Sequence, residues 1–312
     1  MRRYVLKRLA WSVVAVWIVI SAAFLLVALT PDPNEVIISW AAGAEAAEAY
    51  RQARNYDLPL YRRYWLWLSS YLTLDLGTTQ SGQPVTQAFR ETLPVTALYV
   101  VPAVVVSTIL GVATGLYTAI RSGGYLDRFV TAAVYSGFGL PVFWLGEMAI
   151  AVAVHELGWV EIAWDDRYGL WHPANLQSMI LPATVVCANL LAVQARYARA
   201  EALEYVPAEF VRTLRASGAS SRDVARHVLR NAALPLVSLF CIEGVALLLV
   251  TVYVVESVFG LPGAGALAYD AIYSRDIGVV LAATLLVAVV GVLGNLLQDV
   301  LYVWLDPRVD VE

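Results

Sequence analysis

Four stretches of this chain run without a charged residue for long enough to cross a bilayer. They extend from after Arg8 to Pro31, after Glu91 to Ile120, after Arg167 to Ala195 and after Asp276 to Gln298. A helix rises about 1.5 Å per residue, so roughly 20 apolar residues cross a hydrocarbon layer of about 30 Å. Two further apolar stretches carry one carboxylate each: Phe129 to Val154 contains Glu147, and Ala232 to Val255 contains Glu243. The pattern predicts an all-α polytopic membrane protein with six transmembrane helices.

Composition removes the soluble alternative. Of 312 residues, 60% are hydrophobic and 15% charged, with a mean hydropathy of +0.66. That is more apolar side chain than a soluble domain buries and too little charge to cover it. The basic residues then set an orientation. With the N-terminus in the cytoplasm, fourteen Lys and Arg fall on the cytoplasmic side and seven on the other. An excess of basic residues inside is the pattern that fixes topology, so both termini are expected in the cytoplasm. The first helix has the charged flank of a signal peptide, but its apolar run is long and lacks a small-residue cleavage site, so it reads as a retained anchor. The resulting organisation is an N-terminus and first helix at 1–30, an external segment at 31–92, and a five-helix core at 93–312 with a cytoplasmic loop at 196–232.

That loop contains a basic helix-turn-helix, EFVRTLRASGASSRDVARHVLRNAALP, from Glu209 to Pro235. Pro207 suits a first helical turn, and Glu209 places negative charge where a helix N-terminus favours it. Phe210 and Leu214 share a face at i and i+4, directing Arg212 and Arg215 elsewhere. Gly218 is placed to end the helix in a left-handed conformation, and Ser220 with Asp223 matches a capping box for the next. Such a pair can lie on lipid as an interfacial element or dock on a soluble partner.

Two external pieces carry their own logic. About sixty residues between the first two spans exceed a tight connection, so an ordered unit or docking surface is expected. Arginines and aromatics alternate from Arg51 to Trp67, an interface-hugging composition. Between Phe259 and Gly265 the sequence cannot stay helical, and irregular backbone near a membrane is tolerated where protein buries it or water reaches it. A gate and a plain turn both fit this stretch. Glu147 and Glu243 are costly within a bilayer, about 2.5–3.5 kcal/mol for a mid-membrane Asp, so each should face water, a partner helix or a translocation path.

Several chemistries are excluded or unsupported. Cys187 and Cys241 lie in apolar spans without metal-ligand spacing, and His155, His172 and His227 are scattered, so no metal site is expected. Residue types for an enzyme active site do not converge. No basic stripe with interleaved aromatics points to nucleic acid. No phosphate-cradling Gly-x-x-x-x-Gly-Lys-Ser/Thr loop is present, so the chain does not hold nucleotide by that device. An ion-coupled carrier using Glu147 and Glu243 is an alternative, but the inverted repeats that would favour it are absent.

The loop from Glu209 through Gly218 to Leu234 and Pro235 resembles the acidic, small-residue coupling motif of binding-protein-dependent ATP-binding cassette importers. Other stretches narrow the likeness to the dipeptide, oligopeptide and nickel permeases, in the subunit placed first of the two. These are the first helix ending in Thr30-Pro31-Asp32-Pro33, where the usual Gly before the Asp is replaced; Leu58 to Tyr61, Trp65 and Leu66; Asp75-Leu76-Gly77; Pro84-Val85; Leu93 to Thr96; Gly139 to Pro141; and Phe143 to Gly146. The stretch VESVFGLPGAGALAYDAIYSRDI is similar through Glu256, Phe259, Pro262, Gly263, Gly265, Arg275 and Asp276. The resemblance implies a type I importer fold and a permease forming half of a translocation pore for peptide-like solutes. It also implies a second, homologous permease, two cytoplasmic ATPases that bind ATP and Mg, and an external substrate-binding protein. By the same resemblance, Glu209, Phe210, Arg212, Leu214, Arg215, Gly218 and Asp223 would couple to the ATPase. The residues from Glu256 to Asp276 named above would line an external gate.

Overall fold

The computed structural model describes residues 2–158, 164–241 and 245–305. Among these, regular structure is helical apart from one isolated bridge between Thr78 and Pro84. Four helices are long and apolar enough to cross a membrane: α1 (Arg2–Leu29), α5 (Val85–Ile120), α9 (Ile180–Tyr205) and α14 (Ile277–Leu305). Two bent pairs raise the number to six if each counts as one span. Helix α5 begins before its apolar run and absorbs Arg90 and Glu91, both exposed.

The expected single helix from Phe129 to Val154 is corrected to two. Helix α6 (Tyr125–Gly139) meets α7 (Val142–Ile150) at 102°, and α7 continues as a π-helical turn, Ala151–Glu156. Pro141 is the cause: a proline disfavours helical backbone in the preceding residue, and Leu140 is extended at φ −87°, ψ 130°. The span expected over Ala232–Val255 is described on either side of residues 242–244. Helix α11 (Ser221–Leu239) carries Pro235 in its interior, and α12 (Val245–Phe259) follows after residues 242–244, so Glu243 lies outside the described residues. Helix α12 is bent by 84° from α13 (Ala264–Ser274).

The chain forms two compact units. The first comprises residues 1–4, 93–266 and 290–312. Helix α9 is its axis, packed by α6, α7, α11, α12 and the short α8 (Pro173–Ser178). Val95, Tyr99, Val186, Leu190, Val255 and Leu261 anchor its main apolar core. Helix α5 approaches α9 so closely that a Cβ on Gly115 would sit 2.6 Å from the Ala195 carbonyl oxygen and 2.7 Å from the Arg199 nitrogen. Without a strong hydrophobic drive between helices in lipid, small residues at such crossings provide the packing that associates them. Arg199 also pairs with the buried Asp127 near the start of α6, and Asp127 accepts from the Gly123 N–H at 2.8 Å. The pair ties α6 to α9.

The second unit comprises residues 5–92 and 267–289. Three short helices follow α1: α2 (Pro33–Ala42), α3 (Ala44–Ala53) and α4 (Leu60–Leu72). Asp32 caps α2 by accepting from the Asn34 N–H at 2.9 Å. Tyr64 on α4 bonds both Trp17 Nε1 and Ser21 Oγ at 2.8 Å, and Phe24 stacks on Trp67 at 4.8 Å between centroids, so α4 runs along the C-terminal half of α1.

Candidate coupling helix and buried carboxylate

Helix α10 (Glu209–Ala216) begins at Glu209, with Ala208 as its N-cap. Pro207 therefore precedes the helix instead of occupying its first turn, a shift of the kind common at helix ends. Val211 is the anchor that sequence reasoning missed. It is fully buried, in a small core with Leu116, Ala119, Ala202, Val224 and Val228. Phe210 and Leu214 flank it, half-buried against the same core. Counting apolar positions on the face centred at Val211, with Leu214 at i+3, was the available signal. Glu209, Arg212 and Arg215 are exposed.

Gly218 has φ +80°, and the Ala219 N–H donates to the Leu214 carbonyl at 3.0 Å. A left-handed residue at this point turns the chain at little steric cost only if it is glycine. The capping box is present: the Asp223 N–H donates to Ser220 Oγ at 3.2 Å, and the Ser220 N–H to Asp223 Oδ2 at 3.1 Å. The Ser220 hydroxyl, followed by its backbone N–H, holds Asp223 below the usual carboxylate range. The arrangement is a short helix with one face seated on its own core and a charged face open.

The second site surrounds Glu256, fully buried near the end of α12. Its Oε1 accepts from Thr96 Oγ1 at 2.6 Å and from the Tyr99 hydroxyl at 3.1 Å, and its Oε2 accepts from the Ala266 N–H at 2.8 Å. Thr96 Oγ1 in turn accepts from the Ala264 N–H at 2.9 Å. A carboxylate and a hydroxyl from two other helices thus take up free N–H groups at the start of α13, where negative charge is favoured. Gly260, at φ +63°, closes α12, with the Leu261 N–H donating to the Glu256 carbonyl at 3.0 Å. Gly263 and Gly265 are required by approach: a Cβ on either would collide with the Glu256 carboxylate.

Glu256, Phe259, Gly263 and Gly265 therefore come together, with Phe259 in the core and Pro262 exposed. Arg275 and Asp276 belong to the other unit. There Asp276 caps α14 through the Val279 N–H at 3.3 Å and accepts from the Gln80 N–H at 2.6 Å, while Arg275 is exposed at φ +57°. Glu147 is exposed on α7, beside Gly146, whose missing Cβ admits Val258 and Phe259 of α12. Thr96 and Tyr99 were not singled out as partners of Glu256; the local motif at 93–96 gave no indication of what they bind.

Residues 111–311 match the family model described as the binding-protein-dependent transport system inner membrane component. Over 312 residues, covering 99% of each chain, the protein is 34% identical to the glutathione transport system permease protein GsiC of Escherichia coli O6:H1. It is 33% identical to its namesake in Escherichia coli strain K12 and 34% to that of Shigella boydii serotype 4, at the same coverage. The chain belongs to the binding-protein-dependent inner membrane transport components: it is a multi-pass permease subunit of an ATP-binding cassette importer, and not an enzyme.

Proposed function

We propose that this permease imports short peptides of the size and polarity of glutathione, forming half of a pore with a second, homologous permease. Two ATPases would bind ATP and Mg on the cytoplasmic side, and a binding protein would deliver solute from outside. The observation that carries the mechanical part is α10. Its Val211 face is fixed to the chain's own core, while Glu209, Arg212 and Arg215 stand free beside the half-buried Phe210 and Leu214. A soluble motor pressing on that open face would move α9 and α11 through the same core. Asp223 serves this element by capping α11, which holds the Gly218 turn in place.

The substrate reading is supported by similarity over the full length to permeases named for glutathione transport. Glu147, exposed on an apolar helix, is placed to face a partner subunit or the solute path; Glu243 is assigned the same alternatives from its sequence position. The bracket at Glu256, with Phe259, Pro262, Gly263 and Gly265, is read as one part of an external gate, and Arg275 with Asp276 as another. ATP-driven uptake of labelled glutathione and dipeptides into proteoliposomes, with the complete transporter and its binding protein, tests the proposal. Uptake of nickel chelates without uptake of either peptide would replace the substrate assignment.

A further inference from the structure

The second unit contains a cavity of about 510 Å³ that solute transport by the permease core leaves unexplained. One wall is apolar and built from the ends of two spans, through Phe24 and Val27 of α1 and Leu281 of α14. The lining also includes polar groups, among them Arg54 and Arg63. Arg63 Cζ lies 4.6 Å over the Tyr56 ring and Arg54 Cζ 4.8 Å over the Tyr50 ring. Both tyrosine hydroxyls donate to Asp32 Oδ2, at 2.8 and 3.0 Å. Asp32 thus fixes the rings on which the guanidinium groups rest, and among the described residues neither arginine forms an ion pair.

One donor lining the cavity is also unspent. Tyr71 is 7% exposed, and its hydroxyl oxygen has the Trp67 indole N–H beside it, while the hydroxyl proton has no acceptor. Buried polar groups normally have a hydrogen-bond partner, so an unpaired one calls for an explanation. Two guanidinium groups, a tyrosine O–H and an apolar lining in one cavity describe one ligand chemistry: an oxyanion attached to hydrocarbon.

We propose that this cavity binds the phosphate of a phospholipid headgroup, with the acyl chains laid against α1 and α14. Its place at the ends of two spans favours lipid over a soluble peptide, because lipid is present there at the highest concentration and a solute has no use for the apolar wall. The exposed Asp75 at the rim suits the ammonium of an ethanolamine headgroup better than a purely anionic lipid. The lipid would fasten α3 and α4 to α1, and the inference depends only on membrane placement, not on which solute is carried.

The test measures phospholipid retained per protein, by mass spectrometry, on the assembled transporter after exchange into a second detergent. Wild type should retain phosphatidylethanolamine. The double variant Arg54→Ala with Arg63→Ala should lower retention roughly tenfold or more, since it removes both charge-assisted contacts. Tyr71→Phe keeps the ring and should lower retention by a smaller factor, while Arg62→Ala, at an exposed position outside the cavity, should leave it unchanged. Unchanged retention in a double variant that melts like wild type overturns the proposal; if that variant does not fold, unchanged retention in Tyr71→Phe does so. Displacement of the lipid by millimolar inorganic phosphate would assign the site to the free anion. Loss of dipeptide binding in the double variant with lipid undiminished would assign it to solute. Either result overturns the lipid assignment.

Discussion

Glu256 is tolerated inside the protein because both of its carboxyl oxygens are taken up by hydrogen-bond donors. Thr96, Tyr99 and the first N–H groups of α13 donate to it, and the two glycines leave room for it. Removing the carboxylate strands those donors, and an unsatisfied buried group costs about 1–3 kcal/mol. Glu256→Ala should therefore destabilise the complex by roughly 2 kcal/mol or more, seen as a lower melting temperature and reduced recovery of assembled transporter. Thr96→Val should cost less, about 1 kcal/mol, because Tyr99 and the backbone still hold the acid. Gly263→Ala should resemble Glu256→Ala, since its methyl group takes the space of the carboxylate; a wild-type melting curve for it would show that the bracket is loose. The sequence marked Glu256 and its glycines through a motif. It was silent on the partnership with Thr96, which lies 160 residues away, because nothing in local periodicity encodes a contact made across two helices.

At the scale of the element, α10 was legible in its ends more than in its face. The left-handed Gly218 and the capping box at Ser220 and Asp223 follow from local backbone chemistry, which acts within a few residues. The buried face depends on Leu116, Ala202 and Val228, brought from elsewhere in the chain, so the anchor proved to be Val211. Gly218→Val forces a β-branched residue into the left-handed region and should cost upwards of about 1–2 kcal/mol locally. With Phe210→Asp, it should leave the spans inserted but lower ATP-driven uptake without a matching fall in basal ATP hydrolysis. Normal coupling in both variants would return α10 to a lipid-surface role. Asp223 adds a pH dependence. Its acid is held low in the folded chain, so its contribution is fully present above the ordinary Asp value of about 3.9 and is lost as pH falls through its lowered value. The difference in melting temperature between wild type and Asp223→Asn should be constant from pH 7 to about pH 5 and shrink below about pH 4.

For the whole molecule, the charge-free runs located all four long helices because lipid leaves a spanning helix no alternative to an apolar surface. The bends were hidden because hydrophobicity continues through them: Gly139-Leu140-Pro141 is as apolar as its flanks, and only backbone geometry separates α6 from α7. Orientation rests on a different quantity, the fourteen-to-seven division of basic residues, which acts during insertion and leaves no mark in packing. Two exposed turns on opposite sides of the expected topology offer a direct measurement. Gly82, at φ +85°, and Gly218, at φ +80°, both sit in exposed turns, so a cysteine at the neighbouring Ser81 or Ser217 should be reachable without disturbing a helix. In intact cells, a membrane-impermeant thiol reagent should label Ser81→Cys and spare Ser217→Cys until the membrane is opened. Both should be compared with the parent chain, whose own Cys187 and Cys241 set the background. The reverse pattern would place the helix-turn-helix outside the cell, beyond reach of any ATPase, and would remove the coupling mechanism along with the orientation.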